Sequence, residues 1–337
     1  MLSNSRLETL LAHFPNLTIG LVGDLFLDRY LDIEPGVEEI SIETDLEAYQ
    51  IAHVRNSPGA LGTVMNNLAA LGVGRLIPLA VIGDDGQAYD LLKELQQLPV
   101  DTTYIIRDEQ RLTPTYTKPM KQDATGTWRE LNRLDLRTRA PLSDSTSEQV
   151  CRKLAELFDV CDGLIVLDQI NETNWGVVND TTRQTLEALT AKQPDKLVFV
   201  DSRRHLRCFQ CGVLKGNRAE LLDALGTDTS SIEQAAKDLT QRTGRPVYAT
   251  LGEGGILVAL PSGEILLSPA HKVHGPIDIV GAGDSATSGI VASLLSGASD
   301  HEAADVANLV ASITVQQLGT TGTATPRQII NRHRELS

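Results

Sequence analysis

The sequence is poor in aromatic side chains, in cysteine and in positive charge. Aromatic residues make up 4% of its 337 residues, and four residues are cysteine. Its 44 acidic residues outnumber 30 lysines and arginines, which gives a formal net charge of −14. A chain without a basic stripe is a poor candidate for binding nucleic acid or an anionic membrane. We therefore expect neither of these among its partners.

Long hydrophobic runs are also missing. No stretch approaches about 18 apolar residues and the first residues lack a basic region, so we expect neither a membrane span nor a signal peptide. Four cysteines in a chain of this length are typical of reduced thiols, which predicts a cytoplasmic protein. Cys208 and Cys211 form a C-x-x-C pair without the second pair that a zinc site needs, so we interpret them as core or loop thiols.

Short apolar runs that alternate with helical patterns dominate the rest of the chain. This alternation predicts an α/β fold with a mainly parallel central sheet, formed by residues 1–337 as one domain. Polar residues end the apolar runs, at Asp24, Asp168, Asp201, Asn217, Thr250 and Asp284. Because ligands bind at the carboxyl ends of parallel strands, we expect these residues along one crevice. Each of them has an alternative role as a helix cap or turn residue.

Two segments depart from this rhythm, at about residues 32–57 and 101–136. Their polar and apolar residues alternate with period two, and the turn-like sequence DATG occupies 123–126. This pattern is typical of a small antiparallel β structure with one wet face. We predict a lid on the main sheet; a β extension that packs against the body or a partner subunit is the compatible alternative.

The stretch DIVGAGD, residues 278–284, indicates an anion site. We expect a strand, a glycine turn and a helix start here, with N–H groups around Gly281, Ala282 and Gly283 facing negative charge. The stretch matches neither G-x-x-x-x-G-K-[ST] nor G-x-G-x-x-G. A carboxylate at Asp284 would repel a pyrophosphate, so it makes sense as a general base on a neighbouring neutral hydroxyl. The alternative is that Asp284 only caps the helix.

Four motifs in a fixed order resemble those of the ribokinase-like, or PfkB-type, carbohydrate kinases. They are DIVGAGD with Asp284, KGNRAEL with Asn217 and Glu220, ATLGEGG with Thr250, Gly252 and Gly255, and ANLVASITVQQLGT with Asn308. The resemblance covers nearly the whole chain. It implies a three-layer α/β/α fold and transfer of the γ-phosphoryl group of ATP to a sugar hydroxyl, with Asp284 as general base.

The resemblance also implies the cofactors and partners. Asn217 and Glu220 would hold Mg²⁺ through water, and Thr250, Gly252, Gly255 and Asn308 would contact ATP. A monovalent cation is a further candidate, and a homodimer through the β lid is expected. Within the family, VGDLFLDRY, ELNRLDL and LVFVDSRR are most similar to kinases for D-glycero-D-manno-heptose 7-phosphate. The residues expected at the substrate are Asp24, Gly59, Thr63, Asn67, Lys118 and Arg133.

The segment that grips the sugar departs from the family pattern. The motif G-G-x-x-N is replaced by Gly59-Ala60-Leu61-Gly62-Thr63, so a hydroxyl stands where the family has an amide. Hydrogen bonds to substrate control specificity strongly. A kinase of the same fold acting on a nucleoside or a vitamin-like alcohol is therefore an alternative. A catalytically silent regulator that binds sugar and nucleotide is another.

Overall fold

The computed structural model describes residues 2–37, 39–226, 231–319 and 321–336. The strands are, in chain order, β1 (Thr18–Gly23), β2 (Leu25–Ile33), β3 (Ile51–Ala60), β4 (Arg75–Leu79), β5 (Val81–Gly83), β6 (Ile106–Asp108), β7 (Thr115–Gln122), β8 (Trp128–Glu130), β9 (Leu134–Leu136), β10 (Gly163–Asp168), β11 (Leu197–Ser202), β12 (Val213–Asn217), β13 (Val247–Thr250), β14 (Ile256–Ala259) and β15 (Ile265–Ser268). The helices are α1 (Asn4–His13), α2 (Leu61–Ala70), α3 (Gly86–Leu95), α4 (Asp144–Val160), α5 (Asp180–Lys192), α6 (Arg218–Leu225), α7 (Ile232–Thr243), α8 (Ala282–Leu295), α9 (Asp300–Thr314) and α10 (Pro326–Leu336).

The main sheet has eight strands in the order β15-β14-β13-β12-β11-β10-β1-β4. The six strands from β13 to β4 are parallel, and β14 and β15 run antiparallel at one edge. Central strands such as β10 are buried along their whole length, as expected when helices cover both faces of a parallel sheet. This arrangement confirms the predicted α/β class.

Two hydrophobic cores lie on opposite faces of this sheet. One includes apolar residues of α1, α2, α8, α9 and α10, for example Leu61 and Ile290. The other includes those of α4 to α7, for example Leu154 and Leu239. Burial of two separate apolar faces yields the three-layer α/β/α architecture that the family resemblance implied. No helix within the described ranges combines the length and the apolarity that crossing a bilayer demands.

A second, smaller sheet forms beside the main one, in the order β3-β2-β7-β8, with β9 also paired to β7. Its pairs are antiparallel except that between β2 and β7, which is parallel. We call this sheet the lid. Its strands begin at Leu25, earlier than the expected residue 32, and β3 runs on to Ala60. Residues 106–108 pair with β5 in a separate two-stranded sheet.

The apolar run before the glycine turn is not a strand. Our expectation of a strand over DIVG was wrong, because the main sheet ends with β15 at Ser268 and these residues form a loop. Ile279 and Val280 are 72% and 61% exposed. The carboxylate of Asp278 shapes the loop by accepting hydrogen bonds from the N–H groups of Val280 (3.0 Å) and Gly319 (3.1 Å).

Candidate active site

A cavity of about 540 Å³ opens at the carboxyl ends of the parallel strands. Because β11, β12 and β13 are adjacent and parallel, the loops that follow them meet at this edge. The residues expected for catalysis and for nucleotide binding all line it: Asn217, Glu220, Thr250, Gly252, Gly255, Gly281, Ala282, Gly283, Asp284 and Asn308. The fold therefore brings together motifs that are up to 91 positions apart in the sequence, from 217 to 308.

Asp284 is the third residue of α8 and lies in its first turn. Burial raises the pKa of its carboxyl group, and the nearby negative charge of Asp201 raises it further, to about 7. Lys215 and Arg203 act in the opposite direction by stabilising the carboxylate. A carboxyl group with a pKa near neutrality can accept a proton from a hydroxyl at physiological pH, which is the property required of a general base.

The turn before Asp284 requires a glycine. Gly281 has a φ of 79° and occupies the N-cap of α8. A Cβ atom at this position would lie 3.2 Å from Cγ2 of Thr321 and 3.6 Å from Cγ2 of Thr63. The N–H of Ala282, one of the groups expected to face an anion, donates to the carbonyl of Ile279 (3.1 Å) within the turn.

Asn217 and Glu220 form a capping box at the start of α6. The Asn217 side chain accepts a hydrogen bond from the Glu220 N–H (3.0 Å), and Glu220 Oε2 accepts one from the Asn217 N–H (2.7 Å). The capping role considered as an alternative is thus present. Both residues also line the cavity, so capping fixes their positions beside any bound ligand.

The loop after β13 depends on Gly255. Its φ is 86°, and an added Cβ would lie 2.1 Å from the carbonyl oxygen of Ser268. Gly252 also has positive φ, at 59°, and the Thr250 hydroxyl lies 3.5 Å from the Gly216 carbonyl. Asn308 donates from Nδ2 to the Ser268 carbonyl (2.9 Å), so it fixes the end of β15 against the same cavity.

Lys215 lines the cavity although it was not assigned to the site from sequence, and it pairs there with Asp201, one of the residues expected along the crevice. Lys215 Nζ lies 2.7 Å from Asp201 Oδ2, and both side chains are almost completely buried. The two residues are direct partners on the neighbouring strands β12 and β11. A charged residue within each of two buried strands was the available signal, but the pairing depends on strand order and register, which the sequence does not reveal.

Asp24 lies away from the cavity. Its side-chain oxygens accept hydrogen bonds from the N–H groups of Gln169 (3.0 Å) and Val177 (2.9 Å), beneath the loop that follows β10. Burial and the neighbouring Asp168 raise its pKa to about 6. A Cβ on Gly176 would lie 3.0 Å from both carboxyl oxygens. The carboxyl group thus contributes to the attachment of this loop to the end of β1.

The other acid of the VGDLFLDRY stretch, Asp28, lies beside two expected substrate residues. Lys118 Nζ is 3.0 Å from Asp28 Oδ1 and 3.1 Å from the hydroxyl of Tyr30. Gly59 leaves room for this carboxylate, since a Cβ there would lie 2.5 Å from Asp28 Oδ2. Its chain neighbour Arg29 pairs with Asp90.

The remaining expected substrate residues are dispersed. Arg133 lies on the lid, in a two-bond ion pair with Asp135 (2.6 and 2.8 Å). Thr63 and Asn67 are buried in α2, where Asn67 Nδ2 donates to the Thr63 carbonyl (2.9 Å). Over the part of the chain that the structure describes, Asn67 Oδ1 has no hydrogen-bond partner. Because a Cβ on Gly281 would lie 3.6 Å from Cγ2 of Thr63, α2 lies against the glycine turn.

The acidic residues of the cavity suit magnesium. Mg²⁺ prefers oxygen ligands and keeps several of its waters. The carboxyl groups of Asp201, Glu220 and Asp284 line the cavity, yet the described residues contain no compact group of three or more acids, histidines or cysteines. The capping box already uses oxygens of Asn217 and Glu220. The donor set therefore fits an ion that is held mainly through water and phosphate oxygens.

Together, the fold and the cavity define an α/β phosphotransferase. The family model described as "pfkB family carbohydrate kinase" matches residues 32–327, and the chain belongs to this family. Family membership makes it a kinase with an alcohol group as acceptor, as the resemblance implied.

Curated relatives carry the description bifunctional protein HldE. Those of Trichlorobacter lovleyi and Desulfatibacillum aliphaticivorans are both 29% identical to this chain, over 98% and 91% of its length. The chain spans only 65% and 61% of these relatives, less than two thirds of either.

Solved structures confirm the ribokinase-like fold. Escherichia coli phosphofructokinase-2 in complex with potassium has a TM-score of 0.71 at 18% identity, with 95% of this chain and 99% of that one covered. A putative ribokinase II of E. coli with ATP and Mg²⁺ has a TM-score of 0.68 at 15% identity, with 95% and 99% covered.

Proposed function

We propose that the protein transfers the γ-phosphoryl group of ATP to a hydroxyl group of a sugar or sugar phosphate, with Asp284 as general base. One observation carries this proposal: Asp284 is in the first turn of α8, inside the cavity that all the expected nucleotide residues line. The putative ribokinase II with ATP and Mg²⁺ supports the choice of cofactors. The similarity of VGDLFLDRY, ELNRLDL and LVFVDSRR to kinases for D-glycero-D-manno-heptose 7-phosphate supports a sugar phosphate among the acceptors.

The chain's own residues account for positioning and proton transfer. Thr250 and the loop through Gly252 hold the nucleotide phosphates, and Asn308 supports the wall of the nucleotide pocket. Asp284 accepts the proton of the acceptor hydroxyl as its oxygen bonds to phosphorus. Free N–H groups in the first turn of α8 stabilise the charge on the transferring phosphoryl group. Mg²⁺, held through water by Asn217 and Glu220, would neutralise phosphate charge.

We place the acceptor between the glycine turn and the lid. A smaller cleft lined by Phe26, Tyr116 and Arg137 shares Gln169 and Arg203 with the main cavity, so the two spaces adjoin. An acceptor in this position would have its reacting hydroxyl close to the cavity. The lid would close over it and exclude water.

At the lid side of this region, Asp28 is a stronger candidate than Asp24 for binding acceptor hydroxyls. Its carboxylate lies against Gly59 and Lys118, whereas both oxygens of Asp24 already accept hydrogen bonds. Substitution of Asp28 by Asn would then raise KM for the acceptor more than KM for ATP.

We also propose that the lid mediates a homodimer, in the cytoplasm, where ATP is available. The lid and its adjoining loop expose the apolar side chains of Ile40, Ile42, Leu46, Tyr49 and Val54, and Ile42 is 98% exposed. Contiguous exposed apolar surface is typical of an interface. Replacement of Ile42 and Leu46 by Glu should yield monomers in sedimentation experiments, while Tyr89→Glu, a 69% exposed control on α3, should not.

The test of function is ATP turnover against a panel of sugars, sugar phosphates, nucleosides and vitamin-like alcohols. We expect the highest kcat/KM with a sugar or sugar phosphate. Turnover confined to nucleosides or vitamin alcohols would contradict the proposed substrate class and favour the alternative that Thr63 and Ala60 suggest. Binding of ATP and sugar without transfer to any acceptor would contradict the kinase proposal itself.

A further inference from the structure

Lys215 and Asp201 form a buried ion pair in the wall of the cavity. The ammonium donates to Asp201 Oδ2 at 2.7 Å, and the Thr287 hydroxyl donates to the same oxygen at 2.9 Å. Lys215 and Asp201 are 4% and 5% exposed, and Thr287 is fully buried. Three side chains from β12, β11 and α8 thus fix the position of one positive charge.

This charge faces the glycine turn. A Cβ on Gly283 would lie 3.1 Å from Lys215 Nζ, so the ammonium lies directly against the turn that precedes Asp284. An ammonium has three N–H donors, and among the described residues Asp201 is the only hydrogen-bond partner of Nζ. Donors therefore remain for a ligand in the cavity, which Lys215 lines.

The carboxylate of Asp201 balances the charge of the buried ammonium at 2.7 Å. Stability gives little reason for such a pair, because a buried ion pair costs about as much in desolvation as it returns. Its position at the cavity wall gives a functional reason.

We propose that Lys215 is a second catalytic residue, whose ammonium binds the γ-phosphoryl group and stabilises it during transfer, and that Asp201 and Thr287 are positioning residues for it. This inference rests on the proposed function. In the step, the acceptor oxygen forms a bond to the γ-phosphorus, and the bond from that phosphorus to the β–γ bridging oxygen breaks. The hydroxyl proton goes to Asp284, and the bridging oxygen leaves with ADP. Lys215 keeps its proton throughout.

The test separates nucleotides with and without a γ-phosphoryl group. Calorimetry measures binding of ADP and of the β,γ-imido analogue of ATP, both with Mg²⁺, to the wild type and to Lys215→Met. We expect Lys215→Met to weaken binding of the analogue by at least about 10-fold and binding of ADP by less than about threefold. The difference arises because charge-assisted hydrogen bonds to the γ-phosphoryl group, which ADP lacks, are lost. We expect kcat to fall by on the order of 100-fold. The control is Lys153→Met. Lys153 lies on α4 outside the cavity, so this variant should change neither the nucleotide affinities nor kcat.

Two smaller substitutions keep the test decisive if Lys215→Met does not fold. Thr287→Val preserves the shape of the side chain, and Asp201→Asn preserves its size. Both variants should weaken binding of the analogue more than binding of ADP, by smaller factors than Lys215→Met does. Asp201→Asn should also move the acidic limb of the pH–rate profile to lower pH, since Asp201 raises the pKa of Asp284.

Equal weakening of both nucleotides in these variants, or of neither, would overturn the role of Lys215. That result would leave the kinase proposal intact as long as the wild type transfers phosphoryl groups. A wild type that binds neither nucleotide would instead overturn the proposed function.

Discussion

Replacement of Asp284 by Asn separates catalysis from stability at one position. The carboxylate would accept the hydroxyl proton, so its loss should lower kcat by about 10²–10⁴-fold, the range typical of general-base catalysis. Asn has a similar size, and the first turn of α8 should keep its shape. In the wild type, log(kcat/KM) should decrease as the pH is lowered below about 7, because the raised pKa of Asp284 leaves its carboxyl group protonated in the free enzyme there.

The same substitution should stabilise the fold at alkaline pH. Asp284 binds its proton more tightly in the native state than in the unfolded chain, so native stability falls as the pH rises between the two pKa values. A pKa raised from 3.8 to about 7 corresponds to at most about 4 kcal/mol of lost stability at pH 8. Asn cannot ionise and avoids this loss. Denaturant unfolding at pH 5 and pH 8 should show an advantage for Asp284→Asn that grows with pH.

Asp278→Asn is the matched control for both measurements. Asp278 belongs to the same motif, but its carboxylate accepts hydrogen bonds from loop N–H groups outside the cavity lining. Its variant should keep the acidic limb near pH 7, whatever its rate. The reasoning fails if Asp284→Asn retains kcat within a few-fold of wild type, or if its advantage in unfolding free energy does not increase between pH 5 and pH 8.

Backbone geometry leads to two further predictions, both measured by denaturant unfolding. Ala60 has a φ of 52°, a conformation that suits glycine, so Ala60→Gly should stabilise the protein by about 1 kcal/mol, whereas Ala69→Gly inside α2 should destabilise it by about as much. An unchanged or lower stability of Ala60→Gly would contradict this. Gly255→Ala should cost about 3 kcal/mol because its Cβ meets the Ser268 carbonyl, and the control Gly263→Ala, at φ 88° in open space, about 1 kcal/mol. Equal losses would show that the contact carries no strain.

Sequence patterns predicted the local geometry of residues that are close in the chain. The capping residues Asn217 and Glu220 are three positions apart, and Gly281 to Asp284 span one helical turn. Capping and glycine-turn rules therefore place both groups at helix starts, and a parallel sheet brings those helix starts to one edge. The strand expected over residues 278–281 failed for a long-range reason. Apolar residues there suggested a strand, but among the described residues they pair with no strand, and Ile279 is left exposed.

The surroundings of the expected acceptor residues could not be predicted from spacing, for the same reason. Asp24 and Asp28 both belong to one short motif, and only the fold distinguishes them. The loop after β10, far along the chain, covers Asp24, while Lys118 of β7 reaches Asp28. Likewise, the pair of Lys215 and Asp201 follows from strand register and not from spacing. Partners that are distant in sequence were the ones that the patterns missed.

The division of the two sites along the chain has a consequence for how the protein can diversify. The described lining of the main cavity comes entirely from residues between Gln169 and Val315. The candidate acceptor residues, from Asp24 to Arg133, all precede this segment. Changes of acceptor specificity could therefore accumulate in the part of the chain before Gln169, while the residues proposed for ATP binding stay the same. Chimeras joined between β9 and α4 would test whether acceptor specificity follows the part of the chain before the junction.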